Sequence, residues 1–168
     1  MNLNRRGFNL VEMLIVVAVL SFLTVLALPL TEITYHRAGE RRLRERLGEI
    51  RQAIDAYRRS HRLGQLPASI ASLTAPIAAS DLRVGANEGP FLAYGSLGNP
   101  FTSPPDTFHW ELRLFNPSAP SHNTWQIVIN NASTTFGTGT GVFDIRFPLA
   151  GVNGLATSPL DGTVYGTW

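Results

Sequence analysis

The N-terminal part of the chain contains a long apolar segment: Arg5-Arg6-Gly7-Phe8-Asn9-Leu10-Val11-Glu12-Met13-Leu14-Ile15-Val16-Val17-Ala18-Val19-Leu20-Ser21-Phe22-Leu23-Thr24-Val25-Leu26-Ala27-Leu28-Pro29-Leu30. Its part from Leu10 to Leu30 is long enough to cross a bilayer as a helix, because about 20 apolar residues span about 30 Å. Glu12 is the one charged residue in that part. The sequence therefore predicts a transmembrane helix over residues 8–30 with an acid near its start.

The position of Glu12 leaves two interpretations open. An acid in an apolar helix costs about 2.5–3.5 kcal/mol near the bilayer centre and is a candidate for a functional role. Glu12 is only about one turn from Phe8, however, where lipid headgroups would lower that cost. On position alone, Glu12 is either a functional acid or a tolerated interfacial one.

The order of residues adds a resemblance. Arg5-Arg6-Gly7-Phe8-Asn9-Leu10-Val11-Glu12, followed by the apolar run and Pro29, resembles the leader and first helix of type IV pilins and type II secretion pseudopilins. The resemblance implies that a prepilin peptidase removes residues 1–7 by cleaving after Gly7, and that the new N-terminal residue, Phe8, is N-methylated. It also implies that Glu12 pairs with the N-terminal amine of a neighbouring subunit during assembly.

Physical chemistry agrees with that role for Glu12, because breaking a buried ion pair costs about 3–5 kcal/mol. For Pro29 the resemblance implies a flexible point that lets the assembly helix bend. The alternative is that Pro29 marks the helix end at the membrane surface, since proline cannot donate the helical hydrogen bond to the carbonyl of Val25.

A second resemblance competes for the N-terminus. Residues 5–10 are also similar to a twin-arginine export motif. Glu12 inside the apolar segment and the length of that segment argue against this motif and against an ordinary signal peptide, whose apolar core is about 7–15 residues. A function of a different class is kept as an alternative: the chain would then be an exported or membrane-anchored periplasmic enzyme or binding protein.

Charge is distributed unevenly along the chain. Residues 31–63 contain nine arginines against five acids, residues 64–168 contain three arginines against six acids, and lysine is absent. Because the arginines of 31–63 alternate with acids, they predict a solvated, salt-bridged helix face and no nucleic-acid partner. Arg5 and Arg6 favour a cytoplasmic N-terminus, but the arginines after the span oppose it under the positive-inside rule. The inner-membrane location with a periplasmic head is what the resemblance implies.

The helical pattern continues over residues 31–63. Apolar residues recur at steps of three and four and predict one buried stripe: Leu43, Leu47, Ile50, Ile54 and Tyr57. Pairs such as Arg51–Asp55 fall at i, i+4 and predict ion pairs on the outer face. Gly64 predicts the end of the helix after Leu63.

Residues 64–168 predict the periplasmic globular domain. A Pro- and Gly-rich part, with a short helix near Ser69–Leu73, precedes three segments with period-2 alternation: His109–Phe115, Thr124–Asn130 and Val142–Phe147. Such alternation is typical of an antiparallel sheet with one solvated face. We expect the inner face to carry Trp110, Leu112, Leu114, Trp125, Ile127, Ile129, Phe143, Ile145 and Phe147. The predicted fold class is α+β, pilin-like, with this inner face packed on the helix stripe.

The C-terminal part, 141–146 with 160–168, resembles the closing segment of major pseudopilins, many of which bind calcium there. Asp144 and Asp161 are the weak calcium candidates, because Ca²⁺ usually takes 6–8 oxygen ligands and this part has only two acids. A turn capped by Asp161 is the alternative. The chain has no cysteine, and since type IV pilins often close this region with a disulfide, its absence favours a pseudopilin.

Other chemistry lacks a signature in the sequence. The four histidines have no metal-ligand spacing, residues 137–141 lack the lysine of a phosphate-binding loop, and no serine lies in a G-x-S-x-G elbow. We therefore expect no enzyme, no cofactor and no metal apart from the calcium candidates. The resemblance implies a structural subunit of a type II secretion pseudopilus that polymerises through its N-terminal helix, or alternatively a major or minor type IV pilin. Its partners would be related subunits, the prepilin peptidase and the inner-membrane assembly platform.

Overall fold

The computed structural model describes residues 9–102, 107–116, 124–134, 136 and 140–168. Within these ranges the side chains of Leu26, Leu28, Pro29 and Tyr94 are not described. The chain divides into two compact units, Met1–Ala38 and Gly39–Trp168. The first is helical from Leu10 onward, and the second contains the packed core and the sheet.

Helix α1 spans Leu10–Ser60, a length of 51 residues. It ends at Ser60 rather than at the predicted Leu63. Gly64 follows with a φ of 63°, and its N–H donates to the carbonyl of His61 at 2.9 Å. A positive φ is inexpensive for glycine alone, so Gly64 reverses the chain directly after the helix.

The predicted stripe on α1 is confirmed. Leu43, Leu47, Ile50 and Ile54 are at most 2% exposed, and Tyr57 is partly buried against the same cluster. Removing such side chains from water contributes about 1.5–3 kcal/mol each. The stripe therefore fixes the second unit's part of α1 to the rest of that unit.

The sheet has three antiparallel strands in the order β2-β1-β3. Strand β1 is His109–Phe115, β2 is Thr124–Ile129 and β3 is Gly141–Arg146. Trp110, Leu112 and Leu114 of β1 belong to the same buried cluster as the helix stripe. The predicted α+β, pilin-like fold class is therefore confirmed: a long N-terminal helix packed on a small antiparallel sheet.

The prediction for the faces of β2 was wrong. In the register of the sheet, Trp110 lies opposite Val128, so Val128 faces the core and is 7% exposed. Ile127 and Ile129 lie on the other face and are 47% and 54% exposed. Trp125 shares that solvent-facing side, because side chains alternate with a period of two.

Strand β3 departs from prediction for a different reason. A register shift lies opposite Arg113 and Leu114, so that Leu114 pairs with Val142 and Leu112 pairs with Ile145. The extra residue of a bulge changes the phase of alternation. Val142 is therefore fully buried, and Phe143, which was predicted to face the core, is 43% exposed.

Polar contacts fix the segment that precedes β1 to this strand. Asn99 is fully buried, and its Nδ2 donates to the carbonyl of His109 at 2.8 Å. The indole Nε1 of Trp110 donates to the carbonyl of Leu97 at 2.7 Å, so this ring lies in the core with its donor satisfied. The short helix predicted near Ser69–Leu73 is a 3-10 helix at Ile70–Thr74.

Candidate functional site

The first turn of α1 is capped by Asn9. The backbone N–H of Val11 donates to Asn9 Oδ1 at 3.4 Å, and the N–H of Glu12 donates to the carbonyl of Asn9 at 3.0 Å. Asparagine is among the preferred residues for this position, because its side-chain oxygen accepts from an otherwise unpaired N–H of the first turn. The sequence thus starts a helix at Leu10 and places Glu12 at its third position.

Glu12 is exposed in the first turn of the helix. A negative charge is favourable there, because the unpaired N–H groups give the helix N-terminus a partial positive charge. The neighbouring side chains are apolar and also exposed: Leu10 is 77%, Val11 58% and Met13 54% exposed. Glu12 is therefore an accessible carboxylate at the end of an apolar surface.

The apolar surface continues along the helix. Every described large apolar side chain from Leu10 to Leu30 is between 45% and 77% exposed, with Val16 the least and Leu10 the most. A helix that is apolar on all sides and unpacked requires lipid or other helices around it. By length and composition, α1 contains a segment able to cross a membrane, with a mean hydropathy of 2.7 over its best window.

Two hydroxyl groups in this segment are satisfied internally. Ser21 Oγ donates to the carbonyl of Val17 and Thr24 Oγ1 donates to the carbonyl of Leu20, both at 2.8 Å. Backbone and side-chain polar groups without partners are expensive in hydrocarbon. These hydrogen bonds let the segment carry a serine and a threonine without that cost.

Three of the predicted site residues have no described side chain. Gly7 and Phe8, the predicted cleavage and methylation positions, lie outside the described residues. The helix continues through position 29, but the side chain of Pro29 is not described. The roles of all three stay predictions.

A comparison with protein families bears on this segment. Residues 2–28 match the family described as prokaryotic N-terminal methylation motif. The chain carries that motif. This motif is characteristic of type IV pilins and pseudopilins. It implies processing by a prepilin peptidase and assembly with pilin-like subunits. With the apolar helix, it is consistent with a single-pass, membrane-anchored chain. No curated protein and no solved structure matches the chain.

The two calcium candidates have different surroundings. Asp144 Oδ1 accepts from Arg51 Nε at 2.9 Å and from the N–H of Ile145 at 2.7 Å. Arg51 therefore pairs with a residue of β3 and not with Asp55 as predicted. Because the guanidinium of Arg51 already neutralises Asp144, this carboxylate should bind a cation more weakly than an unpaired acid would.

Asp161 is exposed and caps a turn. Its Oδ1 accepts from the N–H of Thr163 at 2.9 Å, and this hydrogen bond lowers the pKa of the carboxyl below its usual value. Among the described residues, no group of three or more histidines and acids is arranged to hold a metal ion. Calcium binding stays a prediction, and the turn capped by Asp161 is what the hydrogen bonds display.

The C-terminal segment is tied to α1 by contacts that the sequence analysis missed. Arg51 Nη2 donates to the carbonyls of Ile145 and Trp168, at 2.8 and 2.7 Å. The guanidinium of Arg44 lies 4.0 Å from the ring centroid of Trp168, a cation–π contact. These contacts join residues that are far apart in the sequence. The sequence analysis therefore predicted that the helix packs on the sheet, but not which side chains meet.

A buried pair completes these contacts. The hydroxyl of Tyr165 donates to Glu40 Oε1 at 2.9 Å, with Tyr165 fully buried and Glu40 9% exposed. Burial, together with the hydrogen bond to Glu40, raises the pKa of Tyr165 to about 12. The sequence analysis placed Glu40 among the acids of a solvated helix face. In the structure Glu40 is instead buried and accepts a hydrogen bond from a core residue.

Proposed function

We propose that this chain is a structural subunit of a type II secretion pseudopilus, which polymerises through its N-terminal helix to support export of proteins across the outer membrane. The observation that carries the proposal is the methylation motif over residues 2–28. From Leu10 onward this motif lies on an exposed apolar helix. An unpacked helix of this kind is suited to packing against copies of itself. A major or minor type IV pilin subunit is the near alternative, because it shares the same motif.

In this proposal the chain is held in the inner membrane with a cytoplasmic N-terminus and a periplasmic head. The prepilin peptidase cleaves between Gly7 and Phe8 and methylates Phe8. The chain then joins related subunits on the inner-membrane assembly platform. The head acts as a structural element and not as an enzyme, and no cofactor or nucleic acid takes part.

Glu12 directs the assembly step. Its carboxylate is exposed at the first turn of α1, and the free amine that cleavage creates on Phe8 of a neighbouring subunit is the complementary cation. In a surrounding from which water is excluded, an unpaired charge is expensive, so each subunit gains most when both charges are paired.

Intact-protein mass spectrometry of membrane-extracted protein tests the processing step. We expect a mature chain that begins at N-methylated Phe8, and a Gly7→Val variant that remains an unassembled precursor. A mature chain that begins after Ala27, or an uncleaved wild-type chain, would support the exported or membrane-anchored alternative.

Glu12→Leu tests the assembly step. The variant should insert and be cleaved, but lose about 3 kcal/mol or more of docking free energy and give no filament. Glu12→Asp should be intermediate, since it keeps the charge and shortens its reach. Glu32→Leu is the matched control, because Glu32 is an exposed acid of the same helix. Filament yield and secretion are measured with each variant as the sole copy. Wild-type assembly by Glu12→Leu would exclude the pairing.

A further inference from the structure

The two edges of the sheet differ in how their backbone is covered. At β3, the N–H of Val142 donates to the carbonyl of Pro67 at 2.8 Å, and the carbonyl of Ile145 accepts from Arg51. Strand β2, at the other edge, pairs with β1 alone among the strands that the structure describes. Within the described part of the chain, the outer side of β2 is therefore an available template for another strand.

The composition of β2 favours such pairing. Thr124-Trp125-Gln126-Ile127-Val128-Ile129 contains no charge, no proline and no glycine, and most of its residues are β-branched or aromatic. Proteins usually protect an edge strand with charges, proline or a bulge. Ile127 and Ile129 instead leave about half of their surface in contact with water.

The solvent-facing side of the sheet also carries a cation, Arg113 of the central strand β1. Its guanidinium carbon lies 5.9 Å from the ring centroid of Trp125 and 5.6 Å from that of Phe143. Its Nε is buried without a hydrogen-bond partner, and within the described residues Arg113 takes part in no ion pair. Because Arg113 is half-buried between two aromatic rings, an anion brought to its guanidinium would offset part of its desolvation.

Both acids of the three strands already pair with an arginine. Asp144, which lies opposite Arg113 in the register, is bound by Arg51. Glu111 accepts from Arg146 Nε and Nη2 at 3.0 and 2.9 Å, and these hydrogen bonds lower its pKa. By sequence, residues 116–123 and 130–140, which connect the strands, contain no acid at all. Among the described residues, Arg113 therefore has no anionic partner.

We propose that β2 is a docking edge for an extended segment of another polypeptide, which adds as a fourth strand and brings a carboxylate side chain to Arg113. Main-chain hydrogen bonds to β2 supply the affinity, as in other cases of strand addition, and the carboxylate supplies the specificity. This inference does not depend on the proposed function, since it uses only the sheet.

The reach of an arginine on this face is adequate. Arg146 of β3 extends across β1 and places its guanidinium 4.0 Å from the ring centroid of Trp125 in β2, two strands away. A strand added beside β2 would also be two strands away from Arg113, at about 4.7–4.9 Å per strand. The contact between Arg146 and Trp125 shows that two long side chains can meet across two strands on this face, which is the distance that Arg113 and a glutamate of the added strand would have to span beside Trp125.

Binding of labelled peptides to the detergent-solubilised full chain tests the proposal. The probes are fluorescein-labelled hexapeptides of alternating Thr and Val in which one Glu is moved through the sequence, each with a Gln counterpart. We expect a Glu peptide to bind about tenfold more tightly than its Gln counterpart. Arg113→Gln should remove that preference, Arg113→Lys should keep part of it, and Arg58→Gln, an exposed arginine of α1, should leave it unchanged.

Methylated peptides test the strand geometry. Methylation of every second backbone amide of the Glu peptide should weaken binding by about tenfold or more, because those amides donate to β2. Equal binding of the methylated peptide, absence of saturable binding, or a preference for Glu that survives Arg113→Gln would each overturn the proposal. A dimer of the chain that Ile127→Lys dissociates, and that no peptide displaces, would assign the edge to a second copy and would also overturn it.

Discussion

The two halves of α1 use one backbone conformation for opposite purposes. Between Leu10 and Leu30 the described large apolar side chains are 45–77% exposed, whereas Leu43, Leu47 and Ile50 in the second half are at most 1% exposed. The first half is apolar on all sides, and the second concentrates its apolar residues on one face. Periodicity, and not helix propensity, therefore decides whether a part of this helix packs within its own chain.

The two halves of α1 obtain their stability from different sources. The second half is stabilised by burial against the sheet, which contributes about 25 cal/mol per Å² of apolar surface. The first half has no such partner among the described residues and depends on a lipid or protein surrounding. Changes in one half should therefore leave the properties of the other largely intact.

Truncation gives the largest expected effect. Removal of residues 1–35 should convert the chain from a membrane-associated form into a soluble monomer with a folded head, because the exposed apolar surface of Leu10–Leu30 is then absent. Sedimentation and circular dichroism check this. Persistent aggregation, or loss of the folded state, would show that the head needs the first half.

A matched pair of alanine substitutions separates the halves next. Ile50→Ala should lower the free energy of unfolding of the head by about 2–5 kcal/mol, because it leaves a cavity in the core. Leu20→Ala removes a side chain that is 57% exposed and should change the free energy of unfolding of the head by less than about 0.5 kcal/mol. Urea unfolding in detergent, followed by the fluorescence of buried Trp110, compares the two. Equal losses would contradict the separation.

High pH should act on the second half through Tyr165. Its pKa in the folded head is raised from 10.0 to about 12, so the neutral phenol is favoured by folding. This contribution to stability is intact below about pH 10 and is lost as the pH rises toward about 12, by about 1–2 kcal/mol. Tyr165→Phe should flatten that part of the stability profile. Tyr35→Phe, in the exposed half of α1, should not, and a similar change in both variants would contradict the assignment.

Two glycines of α1 give the smallest expected effect. An alanine Cβ at Gly48 would meet nothing within 4 Å, so Gly48→Ala should stabilise the head by about 1 kcal/mol through helix propensity. At Gly39 the same Cβ would lie 3.0 Å from Cε1 of Phe101, whose ring is stacked on Tyr165. Gly39→Ala should therefore not stabilise the head, because crowding of the Phe101 ring offsets the gain in helix propensity. Thermal unfolding of both variants measures the difference, and an equal gain would mean that Phe101 moves freely.

Local patterns made much of this structure predictable. Three runs of period-2 alternation placed the strands, and the bounds His109–Phe115 of β1 agree with the structure. The steps of three and four from Leu43 to Tyr57 identified the buried stripe, because both patterns are set by the geometry of a single element. The N-terminal site was visible for the same reason, since its residues are contiguous in sequence.

Long-range pairing was not predictable in the same way. Trp125, Ile127 and Ile129 are the more apolar side of β2, yet the register that places Val128 opposite Trp110 turns them to solvent. A shift of one residue exchanges the two faces of a strand, and neither the register nor a bulge can be read from one strand alone. The partners of Arg51 were hidden for the same reason.

Those partners of Arg51 have a consequence for the order in which the head can form. The residues that Arg51 binds lie 93, 94 and 117 positions further along the chain. During synthesis, the stripe of α1 appears long before β3 and Trp168, which complete the surface that covers it. Contacts of such wide sequence separation form slowly, because a long loop must close first. The nascent head is therefore exposed to proteases and to misassembly until its last residues arrive, and chains truncated before Gly141 should be degraded quickly.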